Sequence, residues 1–250
     1  MKKIYTPLFC LPLLLIPACI KLSPFMIDAG PIENFSYKIS PEMVKSSTSY
    51  DCTVAVENFK NKRPTIGSNK MFFYLIPGLP YGWGYYNIPE KGKMFPTIKH
   101  FAFSPTNQLA EAAKLSLKQS GLFKNVYYSK NSKTTDNTKF IFKGTILSTL
   151  YRQKLLSYCI GPVGPILWLI GAPSGWTQCR LKLFFSLIDA KTGKLLWSYN
   201  TNNAEDRVIW WYYQGADARD YTSVMRKSMN EAIINLETKI KENSSKFGLN

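Results

Sequence analysis

The chain has 250 residues and a formal net charge of +16 at pH 7, with 32 Lys and Arg against 16 Asp and Glu. Its composition, 45% hydrophobic and 14% aromatic, excludes an intrinsically disordered protein and suits one domain or two small ones. A single histidine and the absence of a Cys-x-x-Cys pair argue against a Cys/His zinc site.

The N-terminus has the layout of a bacterial lipoprotein leader. Two lysines precede an apolar stretch, Ile4–Pro17, and the tetrapeptide Ile16-Pro17-Ala18-Cys19 is similar to a lipobox. We therefore expect residues 1–18 to be a signal peptide, Cys19 to carry acyl chains such as palmitate, and residues 19–50 to be a tether. An ordinary secretory signal cut elsewhere and an uncleaved anchor are the alternatives.

Charge and leader together indicate where the protein acts. Removing the leader with its two lysines lowers the net charge from +16 to +14, which still attracts polyanions. Export argues against nucleic acid, so we expect an anionic membrane surface or a wall polymer as the charged partner. The expected location is the periplasmic side of the envelope, in the outer rather than the inner membrane. Lysines spread over solvated faces for solubility are the alternative.

The stretch Cys159–Cys179 is almost wholly apolar, carries no charge and is interrupted by glycines and prolines. The prolines exclude a regular helix, and the stretch is too short and broken to span a bilayer. It predicts the tip of a long β-hairpin that contacts a partner or membrane through Leu167, Trp168 and Leu169. A disulfide between Cys159 and Cys179 would close the hairpin, and two buried thiols are the alternative.

Two further aromatic segments predict contact loops. Met71–Pro96 combines prolines and glycines with Tyr81, Trp83 and Tyr85, and the loop Asn202–Ala218 contains Trp210 and Trp211. Aromatic rings with polar tips suit an interface that is half dry and half wet. The alternative for the first segment is that it folds over the sheet and fills a core.

The remaining segments predict an α+β domain over residues 51–243, followed by a frayed tail over 244–250. Asp51–Phe59 is apolar on both faces, which is typical of a central strand. Ser104 and Gly121 bound a helix over Pro105–Ser120. We predict one mixed or antiparallel sheet of about five strands with two helices, in the order β-α-β-β-β-β-α. The later strands are predicted over 122–129, 140–158, 179–187 and 194–199, and the last helix, capped by Asp220, over 221–242.

No motif in the sequence points to catalysis. His100 is the single histidine, and neither Glu57 nor Asp189 has a second acid at a spacing that suits glycoside chemistry. No nucleotide, haem or zinc fingerprint is present. We therefore predict no catalytic residue, no cofactor and no metal, and a protein that is not an enzyme.

Several segments resemble the periplasmic α/β module of TolB N-terminal, LpoB and CsgG-type envelope proteins. They are VAVENFKNKR (54–63), LAEAAKLSLKQSGLFKNV (109–126), FIFKGTI (140–146) and LIDAKTGKLLWS (187–198). Members of this group act by binding, since they activate wall synthases, join secretion or appendage complexes, or assist lipid transporters. The resemblance implies a lipid-anchored binding or assembly module of an envelope protein complex, and it allows a homo-oligomer.

Two alternative functions stay open at this point. One is an outer-membrane pore or secretion subunit that forms a ring. The other is an enzyme that acts on cell wall or lipid through carboxylates that the sequence does not pair. Two facing acids in one cleft would indicate the enzyme.

Overall fold

The structure, a computed structural model, describes Tyr37 and residues 42–89, 103–130, 137–210 and 218–249. In this part of the chain, eight strands form one sheet, and four α-helices accompany it. The strands are β1 (Tyr50–Glu57), β2 (Lys60–Asn61), β3 (Gly67–Lys70), β4 (Tyr81–Tyr86), β5 (Phe123–Ser129), β6 (Thr138–Leu156), β7 (Pro173–Asp189) and β8 (Leu195–Trp210). The helices are α1 (Pro105–Ser120), α2 (Gly164–Leu169), α3 (Ala218–Glu242) and α4 (Ser244–Phe247).

Strand β6 is the axis of the sheet. It has 19 residues, a length of about 60 Å at the usual rise per residue. The first half of β6 pairs in parallel with β1, which pairs in parallel with β5. The second half pairs antiparallel with β4, and β4 pairs with β3. Along its other side β6 pairs with β7, and β7 with β8. The sheet therefore has a mixed proximal half around β1 and an antiparallel distal half around β4.

Helix α1 forms where the sequence predicts it, over Pro105–Ser120, and it ends at Gly121 with φ +73°. Its small and aliphatic face, including Leu109, Ala113 and Leu117, is fully buried. Ser104 does not cap the helix with its hydroxyl. Instead the Ser104 N–H donates to Gln108 Oε1 at 2.8 Å, so a glutamine from the first turn stabilises the start.

Helix α3 starts earlier than predicted, at Ala218, so Asp220 lies inside the helix rather than before it. Its predicted apolar stripe is confirmed as part of the core. The buried members are Met225, Met229, Ala232, Ile233, Leu236 and Ile240. The central position of β1 between β5 and β6 is also confirmed, and Val54, Ala55 and Val56 are fully buried there.

The predicted sheet of about five strands with two helices is too small. Segments predicted as loops are strands: β4 lies in the first aromatic segment, β3 lies directly before that segment, β7 begins at Pro173, and β8 continues to Trp210. Gly82 makes β4 possible, because glycine lets the strand approach the segment at Met71 closely. A Cβ on Gly82 would lie only 2.0 Å from the Met71 carbonyl oxygen.

Both ends of the described chain belong to the domain. Phe247 and Leu249 are buried, so the tail predicted to fray is held in place by α4. At the other end, Met43 is buried, and the Ser47 N–H donates to Glu237 Oε1 at 3.1 Å. The last residues of the predicted tether thus bind to α3.

Candidate docking surface at the distal end

The turn between β6 and β7 is the tip of the hairpin that the sequence predicts. It contains a 3₁₀ helix, Gly161–Val163, followed directly by α2. Pro162 and Pro165 lie in the first turn of these helices, where the missing N–H of proline removes no helical hydrogen bond. Two prolines that exclude a long helix are therefore compatible with two short ones.

A small second core supports this tip. Met71, Leu155 and Trp168 are buried together, separate from the main core, and Tyr74 and Tyr158 pack against them. The Trp168 indole Nε1 donates to the Leu156 carbonyl oxygen at 3.0 Å. The sequence predicts Trp168 as a contact residue, but its side chain is only 6% exposed, so its role is to hold the tip in place.

The two predicted contact loops join at this end. The Gly78 N–H donates to the Cys159 carbonyl oxygen at 2.8 Å, and the Ser157 N–H donates to the Pro80 carbonyl oxygen at 2.9 Å. The Ser157 hydroxyl also donates to the Leu79 carbonyl oxygen. Backbone groups of one segment thus satisfy those of the other, and residues 71–80 and 157–172 form a single surface.

That surface exposes a group of large apolar side chains, which we call the apolar cap. Each member is between 41% and 77% exposed. The members are Phe72, Leu75, Ile76, Ile160, Val163, Ile166, Leu169 and Ile170. Residues 71–89 and 155–179 contain no Lys, Arg, Asp or Glu, so covering the cap desolvates no charge within these segments. Contiguous exposed apolar surface of this kind marks an interaction site.

On the other face of the distal half, aromatic and basic side chains alternate across the strands. Lys70 lies opposite Trp83, Trp83 opposite Lys154, and Lys154 opposite Trp176. Residues directly opposite in a ladder share a face, so these four form one line, which we call the aromatic–basic row. Lys154 Nζ lies 4.7 Å from the Tyr81 ring centroid and 5.6 Å from that of Trp176, within cation–π range.

A second line of side chains follows toward the proximal half. Tyr85 lies opposite Arg152, Arg152 opposite Gln178, and Gln178 opposite Asp206. Gln178 Nε2 donates to Asp206 Oδ1 at 2.8 Å, so the one carboxylate of this line accepts a hydrogen bond from within the line. A cleft of about 470 Å³ lies between the two lines.

The basic side chains of these lines are not neutralised within the described part of the molecule. None of the salt bridges between described residues involves Lys70, Arg152 or Lys154. Residues 58–89 and 137–188 contain ten Lys and Arg and not one Asp or Glu. These segments supply β2, β3, β4, β6 and all of β7 except its last residue, Asp189, so these strands carry an excess of positive charge. This absence of acids is a sequence signal that could have located the surface.

The predicted contact residues have three different outcomes. Tyr81, Trp83 and Tyr85 are half-buried strand residues, and they lie beside or in the aromatic–basic row. Leu169 belongs to the apolar cap, whereas Leu167 is half-buried. Trp210 ends β8 with 40% of its surface exposed. Trp211 and Cys19 lie outside the described residues, as does His100.

The predicted disulfide is wrong. Cys159 and Cys179 are not bonded to each other. Cys179 lies opposite Tyr151 in the ladder and is buried, whereas Cys159 is exposed in the tip, beyond the last ladder pair, Leu155 and Gly175. The pairing of β6 with β7 continues from Cys179 toward the tip as far as Gly175. Cys179 therefore lies within the paired strands, whereas Cys159 lies in the tip itself.

Within the residues that the structure describes, the part of the chain around this surface offers neither a metal site nor a membrane-spanning helix. Among the described residues, no group of three or more His, Cys, Asp and Glu side chains could hold a metal ion. Of the helices in the same part of the chain, none combines the length and the hydropathy that a bilayer span requires. The exposed apolar cap and the aromatic–basic row make this end of the molecule the candidate docking surface.

No protein-family model and no curated protein matches the sequence. Among solved structures, the chain is similar to a DUF330-family protein of Xanthomonas campestris, with 12% identity, a TM-score of 0.48, and coverage of 86% of this chain and 98% of that one. It is also similar to PelC of Paraburkholderia phytofirmans, a dodecamer, with 14% identity, a TM-score of 0.37, and coverage of 72% and 87%.

A third similar structure is a homolog of the neuraminyllactose-binding hemagglutinin from Helicobacter pylori, with 9% identity, a TM-score of 0.38, and coverage of 85% of this chain and 94% of that one. At these identities and scores, the similarities identify neither a family nor a function for this chain. The resemblance to TolB N-terminal, LpoB and CsgG-type proteins stays a prediction.

Proposed function

We propose that this protein is a non-enzymatic, lipid-anchored binding module of the bacterial envelope that docks to another envelope component through its distal end. The observation that carries the proposal is the apolar cap. Eight large apolar side chains lie exposed together on one end of the sheet. Leaving this surface in water is unfavourable by about 25 cal/mol for each Å² of apolar area, so a docked state that covers it is favoured.

The rigidity of this end supports docking. A flexible apolar loop can fold back and bury its own side chains, but the second core around Met71 and Trp168 fixes the tip from beneath. The hydrogen bonds between residues 71–80 and 157–172 fix it from the side. A surface that is already in its bound conformation loses little conformational entropy on binding.

Position along the sheet supports the same function. The described chain begins near the proximal end, where Tyr50 pairs with Phe123 at the start of β1. The apolar cap lies at the far end of β6, about 60 Å away by the rise of 19 strand residues. A module attached to a membrane through its N-terminus can thus present the cap to a component other than the anchor itself.

Lipidation of Cys19 is the part of the proposal that concerns the anchor. Cells grown with radioactive palmitate should label the wild-type protein and leave Cys19→Ala unlabelled. Fractionation should place the labelled protein with the outer membrane. Equal labelling of both proteins, or labelling of neither, would refute the anchor.

Docking through the cap can be tested in cells with a photo-crosslinking amino acid. At Ile166, in the cap, the probe should form adducts with an envelope component. The matched control is Ile234, a residue of α3 that is 51% exposed, and the same probe there should form none. A folded protein without adducts at Ile166 would contradict the proposal. An adduct with a second copy of the chain would indicate the ring-forming subunit instead.

A further inference from the structure

We propose that the component docked by the distal end is an anionic lipid bilayer, with the apolar cap in the hydrocarbon and the aromatic–basic row among the headgroups. This inference rests on the proposed function and adds the identity of the docked surface. Three observations carry it: the chemistry of the cap, the order of residue types behind it, and the charge of the distal half.

The chemistry of the cap suits hydrocarbon better than a protein partner. Seven of its eight side chains are aliphatic, and Phe72 is the one aromatic ring. Protein interfaces enrich aromatic residues and arginine and form about one hydrogen bond for each 100–200 Å². No cap side chain can form a hydrogen bond. Part of the tip backbone is satisfied internally, since the Val163 N–H donates to the Ile160 carbonyl oxygen and the Ala172 N–H donates to the Leu167 carbonyl oxygen.

Behind the cap, the residue types follow the order of a membrane interface. Lys154 and Trp176 lie one residue before the last ladder pair of β6 and β7, and Arg152 lies two residues further back. Two residues of strand span about 7 Å. One headgroup layer of a bilayer is about 5–8 Å thick, so the two lines can occupy it together.

Trp and Tyr prefer this layer because their rings are apolar and their N–H or O–H groups can be hydrated. In the row, Trp83 and Trp176 flank Lys154 from the neighbouring strands. The lysine stem can lie against the rings while its ammonium group reaches lipid phosphates. In the structure Lys154 Nζ lies over the Tyr81 and Trp176 rings and Lys70 Nζ lies over the Phe73 ring, so each lysine has an aromatic support.

Charge selects an anionic bilayer over a neutral one. In the distal half, Lys70, Arg152 and Lys154 form no salt bridge with a described residue. The one acid of the second line, Asp206, accepts a hydrogen bond from Gln178 and keeps its negative charge, so the basic residues of the two lines still outnumber the acid by three to one. Each Lys or Arg held close to an anionic leaflet adds about 1 kcal/mol of attraction, which salt screens.

The experiment uses Cys159, which is an exposed thiol in the tip, whereas Cys52 and Cys179 are buried. The full chain with Cys10→Ser and Cys19→Ser is labelled at Cys159 with a polarity-sensitive fluorophore. It is then mixed with vesicles of phosphatidylglycerol and phosphatidylethanolamine, or of phosphatidylcholine alone. The fluorophore reports only on the environment of the tip, even if another part of the chain also binds the vesicle. The control carries Cys159→Ser and Ile234→Cys, which moves the probe to α3.

We expect the emission at Cys159 to shift to shorter wavelength with anionic vesicles, and the emission at position 234 to stay unchanged. The double variant Lys70→Glu and Lys154→Glu should weaken the partition into these vesicles by roughly tenfold or more. The same charge change at Lys191→Glu and Lys194→Glu, exposed residues of the β7–β8 turn, should weaken it far less.

Two results would overturn the inference. One is a folded protein whose probe at Cys159 does not respond to anionic vesicles, and the other is an equal response to neutral vesicles. Cell crosslinks at Ile166 that reach protein but not lipid, together with an unresponsive probe, would also overturn it and leave the proposed docking function intact. Circular dichroism on every variant establishes that it is folded.

Discussion

Gly144 of β6 lies against the ring of Phe59. A Cβ on Gly144 would come within 2.6 Å of three atoms of that ring. Phe59 is buried, and it packs edge-on against Phe185 of β7 at a centroid distance of 6.0 Å. The ring therefore has little room to move away, and the glycine is required by this close contact rather than by its backbone angles.

Replacing Gly144 with alanine should destabilise the protein by about 1–3 kcal/mol, because the added methyl group overfills a well-packed core. Urea unfolding at neutral pH measures the change as a lower midpoint. The control is Thr145→Ala, which alters the other face of the same strand. In a Phe59→Leu background the cost of Gly144→Ala should fall, and an unchanged cost would show that the ring is not what the methyl group meets.

Glu237 makes the stability of the protein depend on pH. Burial alone raises the pKa of this carboxyl, but hydrogen bonds from Lys241 Nζ and Ser47 outweigh burial and lower the pKa to about 2 from its usual 4.5. A lowered pKa in the folded state contributes stability above the unfolded value, and that stability is lost as the pH falls from about 5 to about 2.

The variant Glu237→Gln should lower the free energy of unfolding at pH 7 by about 1.5–3 kcal/mol, because it removes charge-assisted hydrogen bonds. Its unfolding midpoint should change less between pH 5 and pH 3 than that of the wild type. Glu242→Gln is the control, since Glu242 forms a half-exposed ion pair with Lys239. Parallel pH profiles for wild type and Glu237→Gln would contradict the assignment.

Trp168→Ala should loosen the distal tip more than the rest of the protein. The indole fills the second core and donates to the Leu156 carbonyl oxygen, so its loss leaves a cavity and removes that hydrogen bond. Amide hydrogen exchange should become faster in residues 157–172, while that of α3 stays near the wild-type rate. Leu169→Ala, which removes a cap side chain that is 52% exposed, is the matched control and should leave both rates unchanged.

The thiols should differ strongly in reactivity. Cys159 is exposed, whereas burial raises the pKa of the Cys52 thiol to about 11 and leaves little reactive thiolate. An aromatic disulfide reagent should react rapidly with Cys159 in the folded protein and with Cys52 and Cys179 only after denaturation. In a chain that also carries Cys10→Ser and Cys19→Ser, the rapid phase should disappear in Cys159→Ser. A native thiol count that does not change in this variant would contradict the exposed position.

Periodicity located the elements that bury a regular face. Pro105–Ser120 carries a helical stripe with a glycine stop, and the alternation after Cys179 marks β7, so the sequence predicts both. It missed β4, because Tyr-Gly-Trp-Gly-Tyr alternates aromatic residues with glycine instead of polar with apolar residues. Gly82 lies against the segment that starts at Met71, which only the folded chain reveals.

The sequence predicts the docking surface as contact loops. It does not predict which of their side chains support the surface from within and which are exposed on it. Trp168 and Leu169 are neighbours in the chain, yet one is buried and the other is exposed, because a short helix turns them in different directions. No periodicity distinguishes them over six residues. The aromatic–basic row joins Lys70, Trp83, Lys154 and Trp176 from four strands, so it depends on ladder register rather than on local sequence.

Because carboxylates are unevenly distributed, low pH should affect the contact at Glu237 and the basic segments of the sheet differently. At the proximal end the Glu237 carboxylate of α3 accepts a hydrogen bond from the Ser47 hydroxyl. Protonation of this carboxylate weakens the contact between Ser47 and α3. Residues 58–89 and 137–188 offer no carboxyl group that could take up a proton, so acidification leaves the charge of those segments as it was. Acidification should therefore weaken the contact between Ser47 and α3 while the charge of residues 58–89 and 137–188 stays unchanged.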